Sequence, residues 1–170
     1  EWFGVSSTGL AAANTTALHA AMAFVSAQGG GTITIPPKQY TISEVTFNGT
    51  TSVTLEGVLP ESNYGNPKSV SSFLCTTGVF AFRAGDASSY AGLKNLAIVS
   101  NGVLDGTNAP HVISTNGVEY GVLLETGSTI MDSVNISGFQ YGCVLARGGN
   151  SNIFERCGFN WNTKVGFACT

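Results

Sequence analysis

The sequence predicts an all-β fold, a right-handed parallel β-helix (a solenoid) with an N-terminal capping α-helix. Three observations lead to it. Short apolar motifs recur with a period in the low twenties. Each repeat holds two or three β-rich runs broken by Gly, Asn and Ser turns. One Ala-rich helical stretch stands ahead of all of them. A repeat this thin cannot bury its own apolar face, so successive turns must stack.

The helix comes first. Leu18, Ala21, Met22 and Val25 recur at i, i+3, i+4 and i+7. Asn14 is the expected N-cap, and Gly29-Gly30-Gly31 ends the segment. The strand 32–35 follows at once, Pro36-Pro37 stops it, and Tyr40-Thr41-Ile42 resumes the extended pattern. Further short strands are expected at Val45 to Phe47, Ser52 to Val58, Ser72 to Cys75 and Val79 to Arg83. Residues 59–70 and 100–116 read as long loops, a place where function often sits. The division is a cap over residues 1–43 and coil turns over 44–170.

The repeat itself has two interleaved motifs. Leu93 to Ile98, Met131 to Ile136 and Phe154 to Phe159 each place apolar residues first, fourth and sixth. Tyr120-Gly121-Val122, Tyr141-Gly142-Cys143 and Val165-Gly166-Phe167 alternate with them. Stacking puts like positions about 4.8 Å apart. One interior column is then Leu96, Val134 and Cys157, a second Ile98, Ile136 and Phe159, and a third Val122, Cys143 and Phe167. Four coil turns result. A flat β-sandwich is the competing arrangement of the same short strands.

Composition excludes several classes. Only 10% of residues are charged, the net charge is -3 and the pI is near 5.2. No basic run is present, so nucleic acid is not an expected partner. No apolar run approaches the ~18 residues of a membrane span, and no signal-peptide pattern appears. The first residue is Glu1 and the last, Thr170, follows an apolar strand pattern, so a piece of a longer protein is expected. Its last turn would expose apolar columns and be poorly stable alone. Cys75, Cys143, Cys157 and Cys169 lack the paired spacing of a zinc site. They read as buried free thiols, with a disulfide between stacked turns as the alternative. No metal or cofactor is expected.

Residues 2–43 carry a resemblance. Trp2-Phe3-Gly4, the Ala-rich helix, Gly29 to Thr32, Pro36-Pro37 and Tyr40 resemble the N-terminal segment of the pectate-lyase-like right-handed β-helix superfamily. Asn14-Thr15-Thr16 stands where that segment has Asp-Asp-Thr, and Lys38 replaces a glycine after the prolines. The Trp-Phe-Gly start is most similar to phage tailspike and tail-fibre proteins. The resemblance implies a helix that closes the open end of the coil, a homotrimer, and a virion-tail or extracellular location. It also implies a polysaccharide as partner.

The candidate chemistry follows from the repeat. Asp132 and Glu155 occupy one repeat position and should stack on adjacent turns, and Lys94 occupies it one repeat earlier. Two nearby carboxylates are what glycoside hydrolysis needs. A base beside a cation is what elimination from a uronate needs. Asp132 and Glu155 are therefore the candidate catalytic pair, with Lys94, Arg147 and Arg156 as cations toward substrate. Tyr141 and Trp161 are candidate sugar-stacking rings, with Tyr120 and Tyr64 beside them. A charged, solvated bend and a packed corner are the plainer readings of the same residues. Asp86, Asp105, Glu119, Glu125 and His111 are further isolated options, and His19 on the cap helix packs or faces solvent. Three functions fit. One is a tailspike-like protein that cleaves bacterial surface glycan as hydrolase or lyase. Another is a non-catalytic glycan-binding or structural module of a tail fibre. The last is a secreted pectinase or glucanase.

Overall fold

The computed structural model describes residues 3–47, 52–58, 70–85, 90–100, 118–125, 128–146 and 151–170. It is mostly β, with parallel sheets and one helix. Helix α1 spans Ala11–Ala27. The strands are β1 (Gly31–Thr34), β2 (Gln39–Ile42), β3 (Val45–Thr46), β4 (Val53–Glu56), β5 (Ser72–Cys75), β6 (Phe80–Ala84) and β7 (Tyr90–Ser100). They continue with β8 (Tyr120–Leu124), β9 (Ser128–Ser137), β10 (Tyr141–Leu145), β11 (Ile153–Glu155), β12 (Gly158–Asn160) and β13 (Val165–Cys169).

Every strand pairing between these elements is parallel, and the pairings form three ladders. The long strands β7 and β9 are bent and belong to two ladders each. The first half of β7 pairs with β4 and its second half with β5, while β9 follows β7 along both halves. The first ladder is therefore β1, β4, β7, β9 and β11, and the second is β2, β5, β7, β9 and β12. The third is β3, β6, β8, β10 and β13. The chain visits the ladders in the same order on five successive passes. The bends fall at Asn95 and Ser133, both left-handed (φ 53° and 55°), and Arg156 (φ 51°) repeats the bend between β11 and β12. Such a conformation costs a non-glycine residue about 1–2 kcal/mol, and Asn tolerates it best.

Register converts the repeat into stacked side chains. Ile33, Leu55, Leu93, Met131 and Phe154 form one column. Tyr40, Phe73, Ile98, Ile136 and Phe159 form another. Val45, Phe82, Val122, Cys143 and Phe167 form a third. The first four members of each column are buried, and each last member is a phenylalanine that is only partly covered. Phe167 touches both Phe154 and Phe159, at 5.1 and 5.6 Å between ring centres, so the three last members pack together. Burying one such side chain stabilises by roughly 1.5–3 kcal/mol, so the columns are the main cohesive element. The sequence repeat gives four turns, whereas the structure has five passes. The additional pass is the first, whose strands β1 to β3 were expected one by one but assigned largely to the cap, because their residues do not repeat the later motifs. Leu96 and Val134 stack as expected. Cys157 is not in a strand, although it packs against the core.

The glycines of the Tyr-Gly motif have a steric origin. A Cβ on Gly121 would lie 2.4 Å from Ile136 Cγ2, and one on Gly142 would lie 2.4 Å from the Gly166 carbonyl oxygen. The backbone there runs too close to the neighbouring turn for any side chain.

The helix departs from its expected start. Asn14 is not the N-cap. The helix begins at Ala11, Leu10 occupies the cap position, and no side chain caps it. Ala11-Ala12-Ala13 has the highest intrinsic propensity available and extends the helix upstream. Asn14, fully buried, instead ties three pieces of chain together. Its Oδ1 accepts from the Ser6 N–H at 2.8 Å, and its Nδ2 donates to the carbonyls of Ser6 and Thr41, both at 2.9 Å. Thr15 Oγ1 accepts from the Ser43 N–H at 2.9 Å, and His19 Nε2 accepts from the Thr46 N–H at 3.0 Å. The helix packs on β1, β2 and β3. Its polar side chains thus take the place of a missing strand along the free edges of β2 and β3, groups that would otherwise seek another chain.

The cysteines are all free. Cys75 and Cys143 are buried as expected, but Cys157 is half-buried and Cys169 exposed. The reason is position, since Cys157 and Cys169 lie on the last pass, which has a neighbouring turn on one side only.

Candidate functional site

The predicted charged column exists in register. Lys94 lies opposite Asp132, and Asp132 opposite Glu155. The structure adds a residue below them, Glu56, in register with Lys94. Glu56 precedes Lys94 by the same 38-residue step that separates Lys94 from Asp132. That spacing was the signal that would have found it. The column occupies the last position of the first ladder, just before the bend.

The side chains do not converge on a shared opening. Lys94 Nζ pairs with Glu56 Oε1 at 3.3 Å, one rung below, rather than with Asp132. Asp132 pairs upward with Arg156, Oδ1 to Nη2 at 2.5 Å, and Ser133 Oγ donates to the same oxygen at 2.9 Å. Arg156 Nε also donates to Ser133 Oγ at 3.1 Å. The left-handed backbone at Arg156 turns its guanidinium back onto the preceding rung. Asp132 is mostly buried, with 15% of its side chain exposed, and the Arg156 side chain is 67% exposed. Asp132 is therefore an anchored carboxylate with its charge neutralised and one oxygen doubly occupied. Glu155 is exposed and has no ion pair among the described residues. The pair of carboxylates is asymmetric, with one held and one open to solvent.

The aromatic candidates differ in exposure and setting. Tyr141 stacks on Tyr120 with ring centres 5.3 Å apart and planes at 22°. The Lys164 ammonium lies 5.1 Å from the Tyr141 ring centre. Tyr120 is joined to the Glu119 carboxylate by a hydrogen bond that holds its phenol above the usual tyrosine range. Tyr141 is thus engaged by both a ring and a cation. Trp161 is 52% exposed on the turn between β12 and β13, with φ 51°. Glu125 is ion-paired with Arg83, whose Nε donates to it at 2.6 Å. Arg147, Tyr64, Asp86, Asp105 and His111 lie outside the described residues.

Among the described residues, no group of three His, Cys, Asp or Glu side chains is placed to hold a metal ion. No described helix is long and apolar enough to cross a membrane. The chain matches no family model, and no curated protein or solved structure matches it either.

Proposed function

We propose that the five passes wind as a right-handed parallel β-helix, and that the chain is a rigid glycan-binding and structural segment of a tailspike-like protein. The ordered visiting of three parallel ladders supports the coil, because parallel crossovers are right-handed in nearly all known cases. The resemblance of residues 2–43 supports the wider assignment. The observation that carries a binding and structural role is the state of the charged column. Lys94, Asp132 and Arg156 are consumed in contacts between rungs, so they stiffen the wall. Glu155 remains exposed, and so does about half of Trp161. A polysaccharide laid across successive turns meets side chains repeated about every 4.8 Å. The parent assembly in this reading is a homotrimer on a virion tail or another extracellular surface.

Cleavage of the glycan is the second reading, and one observation favours it. Asp132 and Glu155 are register partners on adjacent rungs, and two neighbouring carboxylates are what glycoside hydrolysis uses. Arg156 beside them would serve a uronate carboxylate. A single experiment addresses both readings. The protein is incubated with a panel of bacterial capsular and O-antigen glycans. Retention on immobilised glycan, reducing-end release and the absorbance of unsaturated uronates are followed together. Retention without release is the expected result. Release that disappears in Glu155→Gln moves the assignment to a hydrolase or lyase. Neither retention nor release from any glycan defeats both.

A further inference from the structure

We infer that His19 is an acid-releasable latch on the N-terminal edge of the third ladder, in which a proton at Nε2 frees the Thr46 amide and opens β3. The argument begins with β3 itself. It has only two residues, and one side of it pairs with β6. The Phe47 N–H points to that side and donates to the Arg83 carbonyl at 2.9 Å. The Thr46 N–H points the other way, toward the cap helix, where His19 Nε2 accepts it at 3.0 Å.

An imidazole nitrogen that accepts a hydrogen bond carries no proton, so the ring is neutral and holds its proton on Nδ1. When Nε2 gains a proton it becomes a donor facing a donor. The bond is lost and the two N–H dipoles repel. The two neighbouring attachments of the helix to this edge are made by Asn14 and Thr15. Neither of them titrates, so only the His19 contact responds to acid.

The charged groups on the surrounding elements have other partners. The helix has no charged residue. Glu44, on the turn before β3, accepts from the Val79 N–H at 2.6 Å. Arg83, the register partner of Thr46, is ion-paired with Glu125, and Glu56 on β4 is paired with Lys94. Tyr40 on β2 gives its hydroxyl to the Pro36 carbonyl. Burial lowers the His19 pKa from 6.5, in keeping with a ring held neutral. A group whose folded pKa is depressed contributes stability that is present above its unfolded value. That stability is lost as the pH falls through the folded pKa. The latch is therefore closed above pH 6.5 and releases as the pH falls through the lowered pKa of the folded ring.

Residue-resolved amide exchange on the whole chain tests this, with rates corrected for the pH dependence of intrinsic exchange. Protection of the Thr46 amide should fall by about tenfold between about pH 7 and a pH at which the Nε2 nitrogen resonance shows the ring protonated, the loss of one hydrogen bond and its repulsive replacement. The Ser43 amide, held by the Thr15 hydroxyl, is the internal reference and should hold its protection. His19→Gln offers a carbonyl acceptor that does not titrate, and should keep Thr46 protected at both values. Should that variant not fold, the Nε2 nitrogen resonance of the unaltered protein provides the readout. It should titrate together with Thr46 exchange, at a midpoint below 6.5. Thr46 protection that is the same at both values overturns the latch. So does an equal loss at Thr46 and Ser43.

Discussion

Replacing Asn14 separates two accounts of the same residue. As an N-cap, Asn14 would tolerate aspartate without loss, because Asp and Asn cap equally well. As a bracket, it uses its amide nitrogen for two of its three bonds, to the Ser6 and Thr41 carbonyls. Asn14→Ala removes all three bonds from a site with no solvent exposure. Each buried group left without a partner costs about 1–3 kcal/mol. Ser6 and Thr41 are only half-buried, so water partly repairs them and the lower end applies. The expected loss is about 3 kcal/mol, one unit for each broken bond. For a chain of this size that lowers Tm by roughly 6–12 °C. Asn14→Asp keeps the acceptor for Ser6 N–H, loses both donations and sets a carboxylate against two carbonyl oxygens. It should destabilise at least as much as alanine. Urea denaturation with an unchanged slope measures both variants. An aspartate variant as stable as the parent would refute the bracket. An alanine variant within about 0.5 kcal/mol of the parent would show that the three bonds carry no net stability.

The remaining predictions concern the column, the glycine motif and the thiols. Arg156→Ala should cost about 1 kcal/mol through loss of a largely exposed ion pair. Arg156→Gly should be more stable than Arg156→Ala by about 1 kcal/mol, because glycine relieves the left-handed backbone. Equal urea midpoints for the two would mean that the bend stores no strain. Gly142→Ala should lose about 1–3 kcal/mol by overpacking against the Gly166 carbonyl, and an unchanged thermal midpoint would contradict that geometry. Burial pushes the thiols of Cys75 and Cys143 up to about 12. At mildly alkaline pH the exposed Cys169 should react with a disulfide reagent, while Cys75 and Cys143 react only after denaturant is added. Prompt labelling of all four would mean that the interior columns open readily.

Much of the fold is written into the sequence, because a repeat constrains its own register. Once Leu93, Met131 and Phe154 recur in like settings, stacking follows. Asp132 must then fall beside Glu155 and Val122 beside Cys143, as the pairings have it. The glycines of the Tyr-Gly motif are legible for the same reason, since they mark where one turn touches the next. Other features depend on contacts between residues far apart in the chain. The Ala-rich stretch moved the helix start to Ala11 and made Asn14 a bracket to a strand 27 residues away. The first pass was legible as strands but not as a turn of the coil, because Ile33, Tyr40 and Val45 lie in segments that do not repeat the later motifs and join their columns only through register. For the candidate site, the sequence by itself determined which charges share a column. Only the tertiary structure decided which of them pair. Backbone register fixes the Cα positions, but the left-handed turn at Arg156 and the reach of each side chain choose its partner. That choice leaves Asp132 anchored and Glu155 open.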